Sequence, residues 1–325
     1  MLFFYLISLL DYNIIGVSLL TLLLFSICIL LFFERRLIEI TIILCCFMFC
    51  FLFIFFTSNL FTIFILLEIA LICFYIYSTY DSFIKYTHVI SVFRFFQLSS
   101  ISSLLLLVGI LPILHGPHCA SYSIFFPFTT YNLYSVVETS QIVYVFFCFL
   151  VGLIGFLLKI GSFPFQTWYY DIFSGLRLKS LFFIAVILKF GYFYFFVLYI
   201  NAYSFLFFDV CNINEFLLFL FFFIGVFNFV FGCILLVNAV NLAEFIIGSG
   251  LLGNGYFFFS FFCGTELWLS IILYYYFGLI IVFCSFFIIE HLWGKSEDTS
   301  EWSFIRLSAL FTKYKILAFF FLWVF

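Results

Sequence analysis

Residues 144–165 read YVFFCFLVGLIGFLLKIGSFPF, an apolar run that carries one charge, Lys159, close to its end. A second run, LFFIAVILKFGYFYFFVLYI at residues 181–200, places Lys189 near its middle. Each run is long enough for a helix that crosses a bilayer, which needs about 20 apolar residues. Because a charge at the bilayer centre costs roughly 2.5–3.5 kcal/mol on insertion scales, the two lysines indicate an internal polar path.

The composition of the whole chain agrees with a membrane location. Hydrophobic residues make up 68% of the 325 residues and charged residues 8%, and the mean hydropathy is +1.36. Apolar runs of about 20 residues recur along the length, whereas a transmembrane barrel has alternating segments of about 10 residues. The longest polar stretch covers only residues 293–302. The sequence therefore predicts one all-α, polytopic membrane domain over residues 1–325.

Hydropathy predicts about ten transmembrane helices, at residues 14–33, 37–56, 60–79, 93–113, 141–162, 179–200, 214–236, 241–263, 267–289 and 304–325. If these helices alternate in direction, the basic residues outside the buried runs all fall on one side of the membrane, namely Arg35, Arg36, Lys85, Arg94, Arg177, Lys179, Lys295, Arg306, Lys313 and Lys315. The other side carries only acidic charges, at Asp11, Glu138, Asp209, Glu215 and Glu266. This one-sided distribution satisfies the positive-inside rule and supports the predicted helices.

A carboxylate in a third apolar run is the natural partner for the lysines. Glu68 lies in FTIFILLEIALICFYIY, at residues 61–77. Burial disfavours each of the three charges and their mutual attraction favours them, which is the logic of a proton relay in transporters. A static ion pair that holds helices together is the alternative. Pro164 allows two interpretations as well. With Gly161 it breaks the helix beside Lys159, or it ends that helix at the interface, where Trp168 is an anchor.

Other motifs predict little chemistry in this chain. The 11 cysteines lack a C-x-x-C pair and lie almost entirely in apolar runs, where they serve as small apolar residues. His115 and His118 have a spacing seen in metal sites, yet two histidines in a turn rarely form such a site alone. The sequence contains no phosphate-binding glycine motif, no flavin or nicotinamide motif and no basic nucleic-acid patch. We therefore expect no cofactor, metal or nucleic acid to bind here.

The composition also bears on the origin of the chain. Its 61 phenylalanines are more than insertion requires, which is typical of an AT-rich organellar genome. Met1–Leu10 lacks a basic region and a cleavage site, and no transit-peptide pattern occurs. Both observations are consistent with synthesis inside the compartment where the protein inserts.

The segment from Leu158 to Asp171 reads LKIGSFPFQTWYYD. It resembles the Lys-x-x-x-x-Pro-Phe-His-x-Trp-x-x-Asp segment of subunit 2 of respiratory complex I, which is one of the antiporter-like membrane subunits of that complex. The second lysine of that family follows thirty positions after the first, as Lys189 follows Lys159. Glu68 lies in a Leu-Glu-Ile triplet similar to the family's Leu-Glu-Leu. Further similar positions are Arg94 within FRFF, where the family has lysine, the serines of SSISS at 99–103, and Asn241, Leu242, Gly248, Ser249, Gly250, Gly255 and Tyr256.

The resemblance covers most of residues 37–325 and implies a function. Glu68 would pair with Lys159, Lys189 would be the central relay lysine, and Pro164 would mark a discontinuous helix, with Trp168, Asp171 and Arg94 in supporting positions. The chain would translocate protons in the mitochondrial inner membrane, driven by distant quinone reduction. NADH, FMN, the iron–sulfur clusters and ubiquinone would bind partner subunits, and lipids and other membrane-arm subunits would surround the chain.

The sequence departs from the family pattern at several positions. Gln166 replaces the histidine, residues 176–179 replace an Ala- and Pro-rich loop, and Ala243 and Glu244 stand where Lys-Arg is expected. The family continues through a second broken helix with a further lysine, beyond the position of Phe325. We therefore expect a first helical repeat at about 37–200, an incomplete second repeat at about 214–325, and a second chain that completes a split subunit.

Two other functions remain open on the sequence alone. A stand-alone cation/proton antiporter could use the same buried Lys and Glu residues, although inverted repeats need both halves to form a gated site. A structural membrane subunit could keep the fold without conducting protons. Retention of Glu68, Lys159 and Lys189 argues against the structural role.

The charge distribution predicts the topology. The loops with Arg35, Lys85, Arg177 and Lys295 should all face the compartment of synthesis, the mitochondrial matrix. Protease or thiol labelling from the matrix side should therefore reach the Lys85 and Lys295 loops. Labelling of these loops only from the opposite side would invert the predicted orientation.

Overall fold

The computed structural model describes residue 27 and residues 37–57, 59–80, 86–115, 139–207, 211–260 and 265–293. Within these ranges the chain is almost entirely helical and forms no β-strand. The helices are α1 (Leu37–Phe56), α2 (Leu60–Tyr80), α3 (Tyr86–His115), α4 (Thr139–Ile160), α5 (Gln166–Phe173), α6 (Leu178–Phe182), α7 (Lys189–Phe207), α8 (Cys211–Asn238), α9 (Leu242–Ser260) and α10 (Thr265–Trp293). The predicted all-α fold class is confirmed.

Several helices are long and apolar enough to cross a membrane. Candidate spans lie at Leu60–Ser78, Tyr86–Ile113, Val143–Ile160, Leu178–Tyr203 and Phe216–Asn238, with shorter apolar helices at Ile40–Ile54 and Tyr274–Ile288. A helix occupies each stretch that hydropathy predicts between residues 37 and 293. The predicted helix at 304–325, and that at 14–33 apart from residue 27, lie outside the described residues.

Two local features differ from the prediction. Helix α3 begins at Tyr86 rather than near 93. Its first turns contain polar residues, and Ser91 Oγ is accommodated there by donating to the Thr87 carbonyl of the same helix at 2.7 Å. Pro112 lies inside this helix without ending it. The eight-residue helix α5 was not predicted, because its polar and aromatic sequence lacks the length of a span.

The span that carries Lys189 is the centre of the bundle. Between α6 and α7, residues Phe183–Leu188 form a π-helical stretch, so that the whole region from Leu178 to Tyr203 is continuous. In an 18-residue apolar window of this span 89% of the residues are buried, against 28% in the corresponding window of Phe216–Asn238. Its aromatic rings pack against those of other helices: the ring centres of Phe196 and Phe156 are 3.7 Å apart, and those of Phe193 and Phe257 are 4.2 Å apart. Lys189 thus enters the middle of the protein rather than a lipid-facing surface.

Helices α3 and α4 cross closely because glycines face each other. A Cβ on Gly109 would lie 2.7 Å from the Gly152 Cα. Small residues at such crossings let backbones approach, which is a main source of stability between helices in membranes. Two tyrosines of α7 close the contact, since Tyr199 donates to the Phe149 carbonyl at 3.2 Å and Tyr203 donates to the Gly109 carbonyl.

Helices α8 and α9 form an antiparallel pair joined by a short connection. Gly232 lies against Leu252, and Gly248 lies against Leu236, where an added Cβ would come within 3.0 Å of the facing leucine in each case. The residue numbers fall on one helix as they rise on the other, which defines the antiparallel register. This pair packs beside the end of α4 and thereby contributes to the site described below.

The close crossing predicts a sensitive position. In Gly152→Ala the new methyl group would lie 2.9 Å from Tyr199 Cζ and 3.0 Å from the Gly109 Cα, so that backbone as well as side chain must move. Overpacking of this kind typically costs about 1–3 kcal/mol. We expect the variant to lower the thermal stability of the assembled protein, measured by melting of the purified membrane complex.

The matched control is Gly225→Ala in α8. Its methyl group would lie 3.3 Å from ring atoms of Phe259, a side chain that can shift. Both substitutions raise helix propensity equally, so a difference in melting temperature reports the crossing alone. Equal melting temperatures for the two variants would contradict the packing argument.

Candidate functional site

Helix α4 ends in a glycine-based C-cap directly after Lys159. Gly161 has φ of +66°, the left-handed conformation that favours glycine. The Ser162 N–H donates to the Leu157 carbonyl at 3.1 Å, and the Gly161 N–H donates to the Leu158 carbonyl at 3.3 Å. This pair of bonds is the Schellman motif. It places Lys159 in the last turn, where the helix dipole favours a positive charge.

The chain then makes a tight turn before the short helix α5. The Phe165 N–H donates to the Ser162 carbonyl at 2.8 Å, and the Phe163–Pro164 peptide is cis. Pro164 itself is exposed within this connection. The structure therefore places both Gly161 and Pro164 between two helices, with Lys159 one residue before the end of the first.

Two buried asparagines pair with the backbone on either side of the break. Asn254 of α9 donates from Nδ2 to the Ile160 carbonyl at 3.3 Å. Asn228 of α8 accepts at Oδ1 from the Phe163 N–H at 2.8 Å and donates from Nδ2 to the Ile224 carbonyl at 2.9 Å. Their side chains satisfy backbone groups that would otherwise be buried without a partner, which costs several kcal/mol each in an apolar medium.

Lys159 forms an ion pair with Glu68. The Lys159 ammonium donates to Glu68 Oε1, which joins α4 to α2 across 91 positions of sequence. The Lys159 side chain is only 2% exposed, while that of Glu68 is 30% exposed. Rings of Tyr192 and Phe64 lie 5.0 and 5.7 Å from Lys159 Nζ. The ammonium is thus held by one carboxylate and two aromatic faces, which favour a cation.

Lys189 has different surroundings. It is 3% exposed and begins α7, immediately after the π-helical stretch. Its ammonium lies 4.7 Å from the centre of the Tyr169 ring, and Gly250 of α9 leaves room for it, since a Cβ there would come 3.3 Å from Nζ. Among the described residues no carboxylate lies within ion-pair distance of Lys189. Within the described part of the chain, a proton on Lys189 therefore lacks the counter-charge that Lys159 has.

Tyr192 lies near Lys159 in space and near Lys189 along helix α7. Lys189 and Tyr192 are three residues apart in α7 and so share a face, and the Tyr192 ring faces Lys159. The buried hydroxyls of Tyr192 and Tyr276 have no hydrogen-bond partner in the described part of the chain. Each hydroxyl can both donate and accept a hydrogen bond.

The remaining sequence-predicted residues lie outside this cluster. Arg94 on α3 and Asp171 on α5 are exposed. Trp168 is half-buried, with its ring edge-on to Tyr169 at 5.7 Å and its indole N–H unpaired among the described residues. Gln166 also has a buried, unpaired Oε1. No group of three metal-ligating side chains occurs in the described part, and His118 lies outside it.

Sequence reasoning missed the asparagines and the capping role of Glu244. Glu244 Oε2 accepts from the Val240 N–H at 2.8 Å at the start of α9, and Oε1 accepts from the Tyr170 hydroxyl at 2.9 Å. The Asn-x-x-Glu spacing at 241–244 resembles a capping box and could have indicated this role. An asparagine in an apolar run, as at 228 and 254, is the signal for a buried hydrogen bond.

Comparison with known structures shows a shared fold at low sequence identity. The chain matches a subunit of respiratory complex I from Thermus thermophilus (TM-score 0.58, 16% identity, 84% of this chain and 56% of that chain). It also matches a chain of the archaeal membrane-bound sulfane sulfur reductase (TM-score 0.63, 15% identity, 85% and 54%). A chain of the Mrp complex from Dietzia sp. DQ12-45-1b matches with a TM-score of 0.57 (13% identity, 85% and 49%).

The chain spans about half the length of these matched chains. No curated protein sequence matches it. The model of one family, described as the transmembrane region of NADH:quinone oxidoreductase and Mrp antiporter subunits, matches residues 57–325. That range contains the broken helix, the Glu68–Lys159 pair and Lys189. The protein therefore belongs to the family of antiporter-like membrane subunits found in NADH:quinone oxidoreductases and Mrp antiporters.

Proposed function

We propose that this chain is the subunit 2 type of antiporter-like subunit in mitochondrial respiratory complex I and that it translocates protons through Glu68, Lys159 and Lys189. The observation that carries the proposal is the contrast between the two buried lysines. Lys159 has a carboxylate partner, whereas Lys189 has only an aromatic face among the described residues. A pair of basic sites with unequal counter-charge is what a controlled proton transfer requires.

The relay works through the charge on Glu68. While Glu68 faces Lys159, the ion pair stabilises the ammonium. If Glu68 moves away or takes up a proton, the Lys159 ammonium loses its counter-charge and its proton is more readily released. Lys189 can accept a proton as an amine and release it as an ammonium, and Tyr192 lies one turn along the same face. The partial exposure of Glu68 leaves its carboxylate open to such a change.

The wider setting follows from this proposal. Electron transfer would occur in partner subunits that bind NADH, FMN, iron–sulfur clusters and ubiquinone, and this chain would receive the coupling through other membrane-arm subunits. The phenylalanine-rich composition supports an organelle-encoded chain in the mitochondrial inner membrane. The first repeat, at about 37–200, contains all three relay residues.

A second candidate function is cation/proton antiport. The match to the Mrp complex of Dietzia sp. and the family description both favour it. Proton uptake that depends on a sodium gradient, in vesicles that contain the chain with its partners, would support antiport. Proton uptake that depends on quinone reduction would support the complex I function.

Removal of the second lysine tests the relay. Lys189→Ala should abolish most proton pumping and lower coupled quinone reductase activity in the intact complex, because the relay loses its central basic group. Pumping is measured by dye quenching in vesicles, and assembly by native gel electrophoresis. Lys179→Ala, ten residues earlier, is the matched control and should pump normally. Full pumping by Lys189→Ala would contradict the relay.

Neutralisation of the carboxylate tests the ion pair. Glu68→Gln keeps the shape of the side chain but removes the charge that faces Lys159, so we expect weaker coupling of proton pumping to electron transfer in an assembled complex. The measured quantity is the number of protons moved per electron. If the complex instead fails to assemble, the static-ion-pair alternative gains support.

The completing chain remains a prediction. If a second polypeptide supplies the family's further lysine-bearing broken helix, it should co-purify in equal amount with this chain. Mass spectrometry of the purified complex provides that test, and it also identifies flavin and iron–sulfur subunits. A complex without any such subunit would argue against the complex I function.

A further inference from the structure

Resting on the proposed function, we propose that Asn228 and Asn254 are positioning residues for proton transfer, which hold the broken helix so that Lys159 meets Glu68. The hydrogen bonds of neither residue go to the ion pair. Each instead bonds a backbone group at the break, and Lys159 directly precedes the carbonyl that Asn254 binds.

The burial of the two side chains supports a specific role. Asn228 is 0% exposed and Asn254 is 1% exposed, in helices whose residues are mostly apolar. A buried amide costs free energy unless its groups are paired, so a position of this kind persists where its bonds are needed. Asn228 bonds a backbone group within the five-residue segment between α4 and α5, and Asn254 bonds the carbonyl directly before that segment.

The polarity of the bonds explains why asparagine occurs at both positions. The Phe163 N–H can only donate, so Asn228 must present its oxygen, and its Nδ2 then bonds the Ile224 carbonyl of its own helix. The Ile160 carbonyl can only accept, so Asn254 must present its nitrogen. The amide supplies one donor and one acceptor group on the same short side chain.

The arrangement links the two halves of the bundle. Asn228 and Asn254 lie on the antiparallel pair α8 and α9, within the predicted second repeat, whereas Lys159 and Glu68 lie on α4 and α2 in the predicted first repeat. A displacement of α8 and α9 is therefore passed to the end of α4 through two hydrogen bonds. The same pair carries Gly250, which gives room to the Lys189 ammonium. Helices α8 and α9 thus bond the backbone beside Lys159 and also contribute to the surroundings of Lys189.

The experiment measures protons translocated per electron in vesicles that contain the intact complex, for Asn228→Leu, Asn254→Leu and Asn228→Asp. Leucine is close in shape to asparagine but forms no hydrogen bond. We expect each leucine variant to lower the ratio by at least about twofold, since a misplacement of about 1 Å can cost much more than that in a reacting site. In Asn228→Asp the carboxyl group, neutral at this buried position, keeps an acceptor for the Phe163 N–H and a donor for the Ile224 carbonyl, so this variant should keep most of the ratio.

The matched control is Ser260→Ala in α9. Ser260 is as deeply buried as Asn254, but its hydroxyl donates to the Phe257 carbonyl of the same helix, away from the break. This variant should keep the normal ratio. A loss as large as that of the leucine variants would show that any buried polar deletion in α9 disturbs pumping, and it would overturn the positioning role.

A direct structural readout separates this inference from the relay itself. In the structure of the double leucine variant, Lys159 Nζ should lie beyond ion-pair distance of Glu68, about 4 Å. Normal proton ratios in both leucine variants, together with loss of pumping in Lys159→Ala, would overturn the positioning role and leave the relay standing. Normal pumping in Lys159→Ala would overturn the proposed function instead. If a leucine variant fails to assemble, Asn228→Asp decides: an assembled but uncoupled complex contradicts the inference.

Discussion

The hydrogen bonding of one interrupted helix is the constraint on which the rest of this structure depends. Helix α4 stops at Ile160 in the interior of the bundle, where water cannot pair with its last carbonyls. The Schellman bonds at Gly161 and Ser162 pair two of these groups, and Asn254 pairs a third. Because these bonds are made within the protein, the chain can place a lysine at a helix end inside an apolar region.

The charge at that helix end determines the neighbours that the fold must supply. A carboxylate on α2 and two aromatic faces surround the Lys159 ammonium, so α2 and α7 must both lie against α4 at this depth. Elsewhere along α4, facing glycines bring α3 close to it, and a tyrosine of α7 bonds its backbone. Packing and electrostatics therefore require the same arrangement of helices.

The sequence alone predicted the all-helical fold and the position of each span-length helix between residues 37 and 293, because apolar runs of span length have few alternatives, but it did not predict the short helix α5. It also predicted Glu68 as the partner of Lys159, through charge and family resemblance. It did not predict the roles of Asn228 and Asn254, since an asparagine in an apolar run indicates a buried hydrogen bond but not the distant backbone group that it binds. Lys189, Tyr169 and Gly250 come from three separate segments of the chain, so no short stretch of sequence shows that they lie together.

The π-helical stretch at Phe183–Leu188 has a consequence for how this family can change by insertion and deletion. A π-helix accommodates one more residue per turn than an α-helix. Deletion of a single residue here would therefore let the stretch revert to regular α-helix without breaking the span. Because the wider π turn takes up the extra residue, the α-helices on either side would keep nearly their present orientation after that deletion, and Lys189 would still face Tyr169. A deletion in the regular helix α6, by contrast, would rotate the residues on one side of it by about 100° relative to the other, and it would turn Lys189 away from Tyr169 while the hydropathy of the span stayed nearly the same.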